Sequence, residues 1–148
     1  MTALPVVLLL SGPNLALLGE RQPEVYGPDT LADHVARFTA ALDGVATVEH
    51  VQADGELGLI QAVHAARGRC AAIVVNAASC THHAWGLHDA LAAYDGPVIE
   101  VHLSNPDARE PWRRTSVVAP VATGTIAGFG GHGYRLAVIA VAELLAQH

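Results

Sequence analysis

The feature that most constrains the fold of this chain is a regular alternation of short apolar runs with longer helical patterns. Five stretches of strand length recur along it: Val6–Leu10, Ala46–Val51, Ala71–Val75, the start of Pro97–Asn105, and Gly124–Phe129. The third stretch is apolar throughout, which is typical of a strand buried on both faces of a parallel sheet. We therefore expect the third strand to lie centrally in a parallel sheet.

Helical patterns fill the segments between these runs. Thr30 precedes apolar residues at helical spacing and is expected to cap the first helix. Further helices are predicted from Asp54 or Gly55 to Gly68, over His82–Tyr94 and over Gly133–Gln147. Strands that alternate with helices in this way predict an α/β fold, a flavodoxin-like open parallel five-stranded sheet with helices on both faces. We see no linker or repeat and expect residues 1–148 to form a single catalytic domain.

Composition restricts the classes of partner. The chain of 148 residues carries a formal charge of −6 and has no basic run, so we expect no nucleic-acid partner. Pro5 and the Ser11–Asn14 turn bound the first apolar run, so we expect neither a membrane span nor a signal peptide. Its two cysteines, Cys70 and Cys80, give no disulfide framework, and a cytoplasmic location is the expectation.

The absence of one residue type excludes two chemistries. All eight basic residues are arginine, and lysine is absent from the sequence. Catalysis through a lysine Schiff base and a P-loop lysine are therefore excluded.

The fourth predicted strand carries a carboxylate and an imidazole at its far end. Glu100 and His102 are two residues apart, so in a strand they point to the same side. A carboxylate beside an imidazole orients the ring and holds its proton, as a general acid requires. The alternative interpretation is a partly buried ion pair that only stabilises the strand.

A second candidate pair lies in the polar loop after the first strand. A nearby guanidinium favours the phenolate form of a tyrosine. Arg21 shares this loop with Tyr26, and Arg109 could approach from the loop after the fourth strand. A tyrosine base opposite a histidine acid is a layout for eliminating water next to a carbonyl, and the additional arginines suggest a carboxylate on the substrate. The alternative is that Tyr26 only packs against the sheet edge.

Other motifs admit competing interpretations. Gly128–Gly133 matches G-x-G-x-x-G, but the acidic strand that a dinucleotide fold requires does not follow, so a tight turn into the last helix is favoured. Binding of flavin mononucleotide is disfavoured because its phosphate needs a hydroxyl-rich loop, and Ser11–Leu15 has one hydroxyl. A phospho-acceptor receiver is disfavoured because it would need an aspartate after the third strand, where this chain has Asn76. Cys80 beside His82 matches no standard zinc spacing, and a buried packing cysteine is the better interpretation.

The sequence closely resembles the type II dehydroquinase family. The resemblance is carried by segments that together span nearly the whole chain: Ser11–Gly27, Asn76–His82 with His88–Leu91, Val98–Ser116 and Ala127–Tyr134. It implies a flavodoxin-like fold and removal of water from 3-dehydroquinate to give 3-dehydroshikimate through an enolate, without Schiff base, metal or cofactor.

The resemblance also implies roles for individual residues. Tyr26 resembles the base, with Arg21 in a mobile lid and Arg109 beside it. His102 resembles the acid, held by Glu100. The other positions implied are Asn14 for enolate stabilisation and, for substrate binding, Asn76, His82, Asp89, Leu103, Ser104 and Arg113.

In this family Asp89 reaches a neighbouring subunit's site, and trimers assemble into a homododecamer. Residues that depart from the family pattern include Ala84, His88 and Pro106. Two alternatives therefore stay open: an enzyme acting on an amino analogue or another cyclic hydroxy-ketone acid, and a metabolite-binding module without turnover.

Overall fold

A single parallel sheet organises the chain. The structure is a computed structural model that describes residues 3–147. The strands are β1 (Val6–Ser11), β2 (Thr47–Gln52), β3 (Ala72–Asn76), β4 (Val98–His102) and β5 (Gly124–Ala127). All neighbouring strands pair in parallel in the order β2-β1-β3-β4-β5. The predicted flavodoxin-like sheet is confirmed, and every residue of the central strand β3 is buried, as its unbroken apolar run predicted.

Helices cover both faces of this sheet. They are α1 (Pro23–Tyr26), α2 (Leu31–Ala41), α3 (Glu56–Ala66), α4 (Trp85–Ala92) and α5 (His132–Ala146). Side chains of α2 and α5, such as Phe38 and Val141, share one core with Leu9 of β1. Leu59 of α3 and Leu87 of α4 pack in a second core on the opposite face. Within residues 3–147, no helix combines the length and hydropathy that a bilayer crossing requires.

Local sequence explains the start of α2. The Thr30 hydroxyl accepts a hydrogen bond from the Asp33 amide at 3.1 Å, and the Asp33 carboxylate accepts one from the Thr30 amide at 2.9 Å. This reciprocal capping box satisfies two amides that the helix itself leaves unpaired. The cap predicted from the sequence is therefore confirmed.

One predicted loop contains helical turns, and two predicted boundaries were wrong. The loop after β1 contains a 3₁₀ turn (Leu15–Leu17) and the short helix α1, which begins at a proline. The helix predicted from His82 begins at Trp85, because Ala78–His82 forms a 3₁₀ turn. Strand β5 ends at Ala127, because Gly128 adopts a φ of +95° that turns the chain toward α5.

The strand order fixes where a ligand can bind. Strand β1 lies between β2 and β3, so the connections that leave β1 and β3 pass to opposite sides of the sheet. In open α/β sheets this reversal leaves a crevice beyond the carboxyl ends of the strands. The loops that follow β1, β3 and β4 meet at this crevice.

Candidate active site

A cavity opens at the carboxyl ends of β1, β3 and β4. Ten of the residues predicted from the sequence line it: Asn14, Arg21, Tyr26, Asn76, His82, His102, Leu103, Ser104, Arg109 and Arg113. Two predicted residues lie elsewhere. Glu100 is buried behind His102, with 1% of its surface exposed, and Asp89 lies exposed on α4. The remaining lining residues were not predicted: Pro13, Leu15, Ala78, Ser79 and Pro106.

The end of β4 carries a buried imidazole–carboxylate pair. His102 Nε2 lies 2.6 Å from Glu100 Oε2, and only 8% of the His102 surface is exposed. The alternation of side chains along the strand puts both on one face, as predicted. With Nε2 directed at the carboxylate, the ring is held in one orientation at the cavity wall.

Two hydroxyl groups complete the surroundings of Glu100. Ser116 Oγ donates to Oε2 at 2.8 Å, and Thr125 Oγ1 donates to Oε1 at 3.0 Å. Burial by itself raises the pKa of Glu100, but the hydrogen bond and charge of His102 and the two hydroxyl donors outweigh it. The pKa of Glu100 is therefore lower than usual, and the buried carboxyl stays ionised.

Tyr26 is the last residue of α1, in the connection after β1, and it lines the cavity. The Tyr26 hydroxyl oxygen accepts a hydrogen bond from Arg109 Nη2 at 3.0 Å. The Arg21 guanidinium carbon lies 4.8 Å from the centre of the tyrosine ring. Both arginines that the sequence analysis placed near Tyr26 are therefore in contact with it.

Arg109 joins two parts of the site. Its Nη1 donates to Ser104 Oγ at 3.0 Å while Nη2 donates to Tyr26. A guanidinium has several donors in a fixed planar arrangement, so the two bonds set the position of Tyr26 relative to the loop after β4.

The loops after β1 and β3 are in direct backbone contact. The Gly12 amide donates to the Asn76 carbonyl at 2.8 Å. A Cβ atom at Gly12 would lie 2.4 Å from the Ala77 carbonyl oxygen, so this approach requires glycine. It brings Asn14, which has a left-handed φ of 66°, to the same cavity as Asn76.

The Asn76 amide is fixed from both ends. Its Oδ1 accepts a hydrogen bond from the Ala78 amide at 3.1 Å, and its Nδ2 donates to the Tyr134 hydroxyl at 3.4 Å. These contacts orient the side chain at the cavity wall.

His82 and Arg113 form the remaining polar wall. His82 Nδ1 lies 2.7 Å from the Thr115 carbonyl oxygen, which requires a proton on Nδ1. Burial lowers the pKa of His82, against a smaller opposite effect of that hydrogen bond, so the neutral ring is favoured. Arg113 pairs with Glu110, and its guanidinium carbon lies 4.1 Å from the Trp112 ring centre.

The structure also bears on the competing interpretations. Gly128 and Gly130 have positive φ, and a Cβ at Gly133 would lie 3.4 Å from Val101, which supports a tight turn and close packing of α5. Cys80 is 4% exposed, and burial raises the pKa of its thiol, which supports a packing role.

Three supporting residues were missed in the sequence analysis: Ser116, Thr125 and Tyr134. The β4–β5 register pairs Glu100 with Thr125, so a correct pairing of the strands would have found this contact. Ser116 lies in an irregular loop, and nothing in the local sequence indicates its contact with Glu100.

Fold and site together define an α/β enzyme in which a histidine–glutamate pair and an arginine-bound tyrosine border one cavity. Residues 5–142 match the model of the family described as dehydroquinase class II. The "3-dehydroquinate dehydratase 2" of Pseudomonas putida is 49% identical over 145 residues, which are 97% of each chain. That of Pseudomonas aeruginosa is 52% identical and covers 93% of each chain. The chain belongs to the class II dehydroquinase family and is an enzyme of the hydro-lyase class.

Solved structures agree with this assignment. The type II dehydroquinase of Propionibacterium acnes superimposes with a TM-score of 0.87 at 38% identity, covering 96% of this chain and 99% of that one. The type II dehydroquinase of Butyrivibrio crossotus gives a TM-score of 0.89 at 33% identity, over 95% and 98% of the two chains. The resemblance noted in the sequence is thus confirmed at the level of the family and the fold.

Proposed function

We propose that this chain removes water from 3-dehydroquinate to give 3-dehydroshikimate through an enolate, without a Schiff base. The observation that carries the proposal is the shared cavity that Tyr26 and His102 line, the first bonded to Arg109 and the second to Glu100. The relatives from two Pseudomonas species, both named 3-dehydroquinate dehydratase 2, support the choice of substrate.

The first step is removal of a proton from the carbon next to the ketone. Tyr26 acts as the base in its deprotonated form, with the guanidinium groups of Arg109 and Arg21 in contact with it. The electron pair of the broken C–H bond moves onto the ketone oxygen and gives an enolate. Asn14 stabilises that oxygen through a water molecule, as polar groups aimed at a developing charge do.

The second step expels the hydroxyl group. As the enolate collapses to the ketone, the new carbon–carbon double bond forms and the C–O bond breaks. His102 gives a proton to the departing oxygen, which leaves as water, and Glu100 stabilises the imidazolium from which that proton comes. Tyr26 later returns its proton to solvent and His102 takes one up, so the cycle closes.

The other residues that line the cavity orient the substrate. The backbone amides of Leu103 and Ser104 and the guanidinium of Arg113 hold the ring carboxylate, and Asn76 and His82 bind ring hydroxyls. The chain has no lysine, which supports an enolate route in preference to an imine on a lysine side chain.

The same proposal extends to assembly and location. We propose trimers that assemble into a dodecamer, in which Asp89 reaches the cavity of a neighbouring copy. Its exposed position on α4 leaves its carboxylate free to do so. We also propose that residues 1–148 act as one catalytic domain, and that the enzyme works in the cytoplasm, where the free thiols Cys70 and Cys80 stay reduced.

The test is an assay of purified protein with 3-dehydroquinate, followed through the ultraviolet absorbance of the conjugated enone product. Turnover that persists after treatment with borohydride in the presence of substrate supports the route without an imine. Tight binding of 3-dehydroquinate without product would show a metabolite-binding module. Faster turnover of an amino analogue would move the substrate assignment to that compound.

A further inference from the structure

We infer that Thr125 and Ser116 are positioning residues for the reaction, acting through Glu100 on the orientation of His102. The inference rests on the proposed function, in which His102 is the acid. Neither hydroxyl is among the groups that line the cavity, so each acts through the buried carboxylate.

Thr125 reaches Glu100 through the strand register. Glu100 of β4 and Thr125 of β5 are direct partners, so their side chains lie on the same face of the sheet. Thr125 Oγ1 lies 3.0 Å from Glu100 Oε1, the oxygen that does not contact His102. The contact fixes the free end of the carboxylate and prevents it from rotating away from His102.

Ser116 binds the other oxygen with a fixed proton direction. Its Oγ accepts hydrogen bonds from the amides of Val118 at 3.2 Å and Ala119 at 3.0 Å. These two donors occupy both lone pairs of the hydroxyl, so its proton points to Glu100 Oε2 at 2.8 Å. The chain conformation after Ser116 therefore makes this hydroxyl an obligatory donor.

The two hydroxyls and His102 together give the carboxylate three donors. Within residues 3–147, His102 is the one ionisable side chain that bonds to Glu100. Both hydroxyls bind the charged form of Glu100, and burial opposes that form. Removal of either donor therefore favours a protonated, reoriented Glu100 and leaves the His102 ring without its fixed partner.

The test uses Thr125→Val, which removes the hydroxyl and retains a residue that favours a strand. Thr125→Ser restores the donor. Thr123→Val is the matched control, because the Thr123 hydroxyl binds the Val98 amide at the start of β4 instead of Glu100. Ser116→Ala is a second test, although it also frees two amides.

In Thr125→Val we expect kcat to fall about tenfold with KM unchanged, as for loss of a hydrogen bond to a charged group. The acidic limb of the kcat profile shifts to higher pH, because Glu100 takes a proton more readily. The carboxyl ¹³C resonance of Glu100, followed in protein labelled at glutamate, titrates at higher pH in the same variant. Thr125→Ser and Thr123→Val behave as the wild type in all three measurements.

An unchanged pH profile and an unchanged Glu100 titration in Thr125→Val would overturn the inference. So would equal losses of kcat in Thr125→Val and Thr123→Val, which would show a general effect of substitution in or next to β5. Should Thr125→Val fail to fold, Ser116→Ala with the same two measurements decides the matter. The ¹³C measurement needs no turnover. A wild-type chain inactive on 3-dehydroquinate would therefore refute the proposed function, whereas the ¹³C titration would still show whether Thr125 holds Glu100 in its ionised form.

Discussion

Arg109 Nη2 donates to the hydroxyl oxygen of Tyr26 at 3.0 Å, across 83 residues of sequence. The bond joins the loop after β1 to the loop after β4 and places a positive charge on the oxygen that is proposed to accept the proton. A tyrosine that only packed against the sheet edge would gain stability from this contact, but the enzyme would not need its hydroxyl for turnover. The two interpretations left open by the sequence therefore differ in what removal of that oxygen does.

Tyr26→Phe should reduce kcat by about a hundred- to ten-thousand-fold, the usual loss when a positioned base is removed. The ring and its packing remain, so we expect the fold and the binding of a ring-carboxylate inhibitor to persist. The measurements are steady-state kinetics and inhibitor titration. Tyr94→Phe is the control: its hydroxyl binds the Cys70 carbonyl at 2.7 Å, and its loss should cost about 1 kcal/mol of stability and little activity. A Tyr26→Phe enzyme with most of its activity would exclude Tyr26 as the base.

His102→Ala should lower turnover by about the same hundred- to ten-thousand-fold while substrate binding changes little. The reason is that the proton for the departing hydroxyl loses its donor. Kinetics with 3-dehydroquinate, together with a direct binding measurement, separate the two effects. His64→Ala, at an exposed position on α3, should retain full activity. Near-normal turnover in His102→Ala would show that another group donates the proton.

Arg21→Gln tests the charge next to the tyrosine ring. Its guanidinium carbon lies 4.8 Å from the ring centre, so the variant removes a positive charge beside the proposed base. We expect kcat to fall, because a fixed positive charge next to the reacting group stabilises the transition state. The measurement is steady-state kinetics with 3-dehydroquinate. Arg67→Gln, at the exposed end of α3, should leave kcat unchanged. An unchanged kcat in Arg21→Gln would mean that Arg21 contributes no charge to the proton transfer.

His34 should make the fold less stable in mild acid. It is 4% exposed, its ring centre lies 5.3 Å from that of Tyr134, and burial lowers its pKa below the ordinary 6.5. The His34 ring therefore binds a proton more readily in the unfolded chain than in the folded one. The free energy of unfolding that depends on the neutral ring is fully present above pH 6.5 and is lost as the pH falls toward the pKa of His34 in the folded protein. Burial lowers the pKa of His50 and of His82 as well, with the same sign.

The measurement is the urea midpoint at about pH 7.5 and about pH 5.5. The wild type should lose stability between the two, and His34→Leu should lose less. His64→Leu, at an exposed site, serves as the control and should lose as much as the wild type. Equal losses in His34→Leu and the wild type would show that His34 does not couple to folding.

The strands and most of the site could be predicted because their signals are local. An apolar run such as Ala72–Val75 indicates a buried strand without reference to the rest of the chain. The spacing of Glu100 and His102 gives their common face, and the parallel fold gives the edge at which the loops meet.

The errors lie where tertiary contacts override local preference. Gln22 and Ala78 adopt positive φ, of 41° and 51°, in the loops that carry α1 and the 3₁₀ turn before α4. Such a conformation is uncommon outside glycine, so the sequence gives no indication of it. The contact between Thr125 and Glu100 depends on strand register, which is set by the packing of the whole sheet.

Because the site lies where strands distant in sequence pair, enzyme activity reports when those strands have paired during folding. The site requires the pairing of β1 with β3 and of β3 with β4, whereas the backbone hydrogen bonds within α2 and α5 join residues close in sequence. Pairing of strands distant in sequence is slow, because the chain must close large loops first. In a refolding experiment, the helical circular dichroism signal should therefore return before enzyme activity. The delay between the two signals measures how long the central strands take to pair.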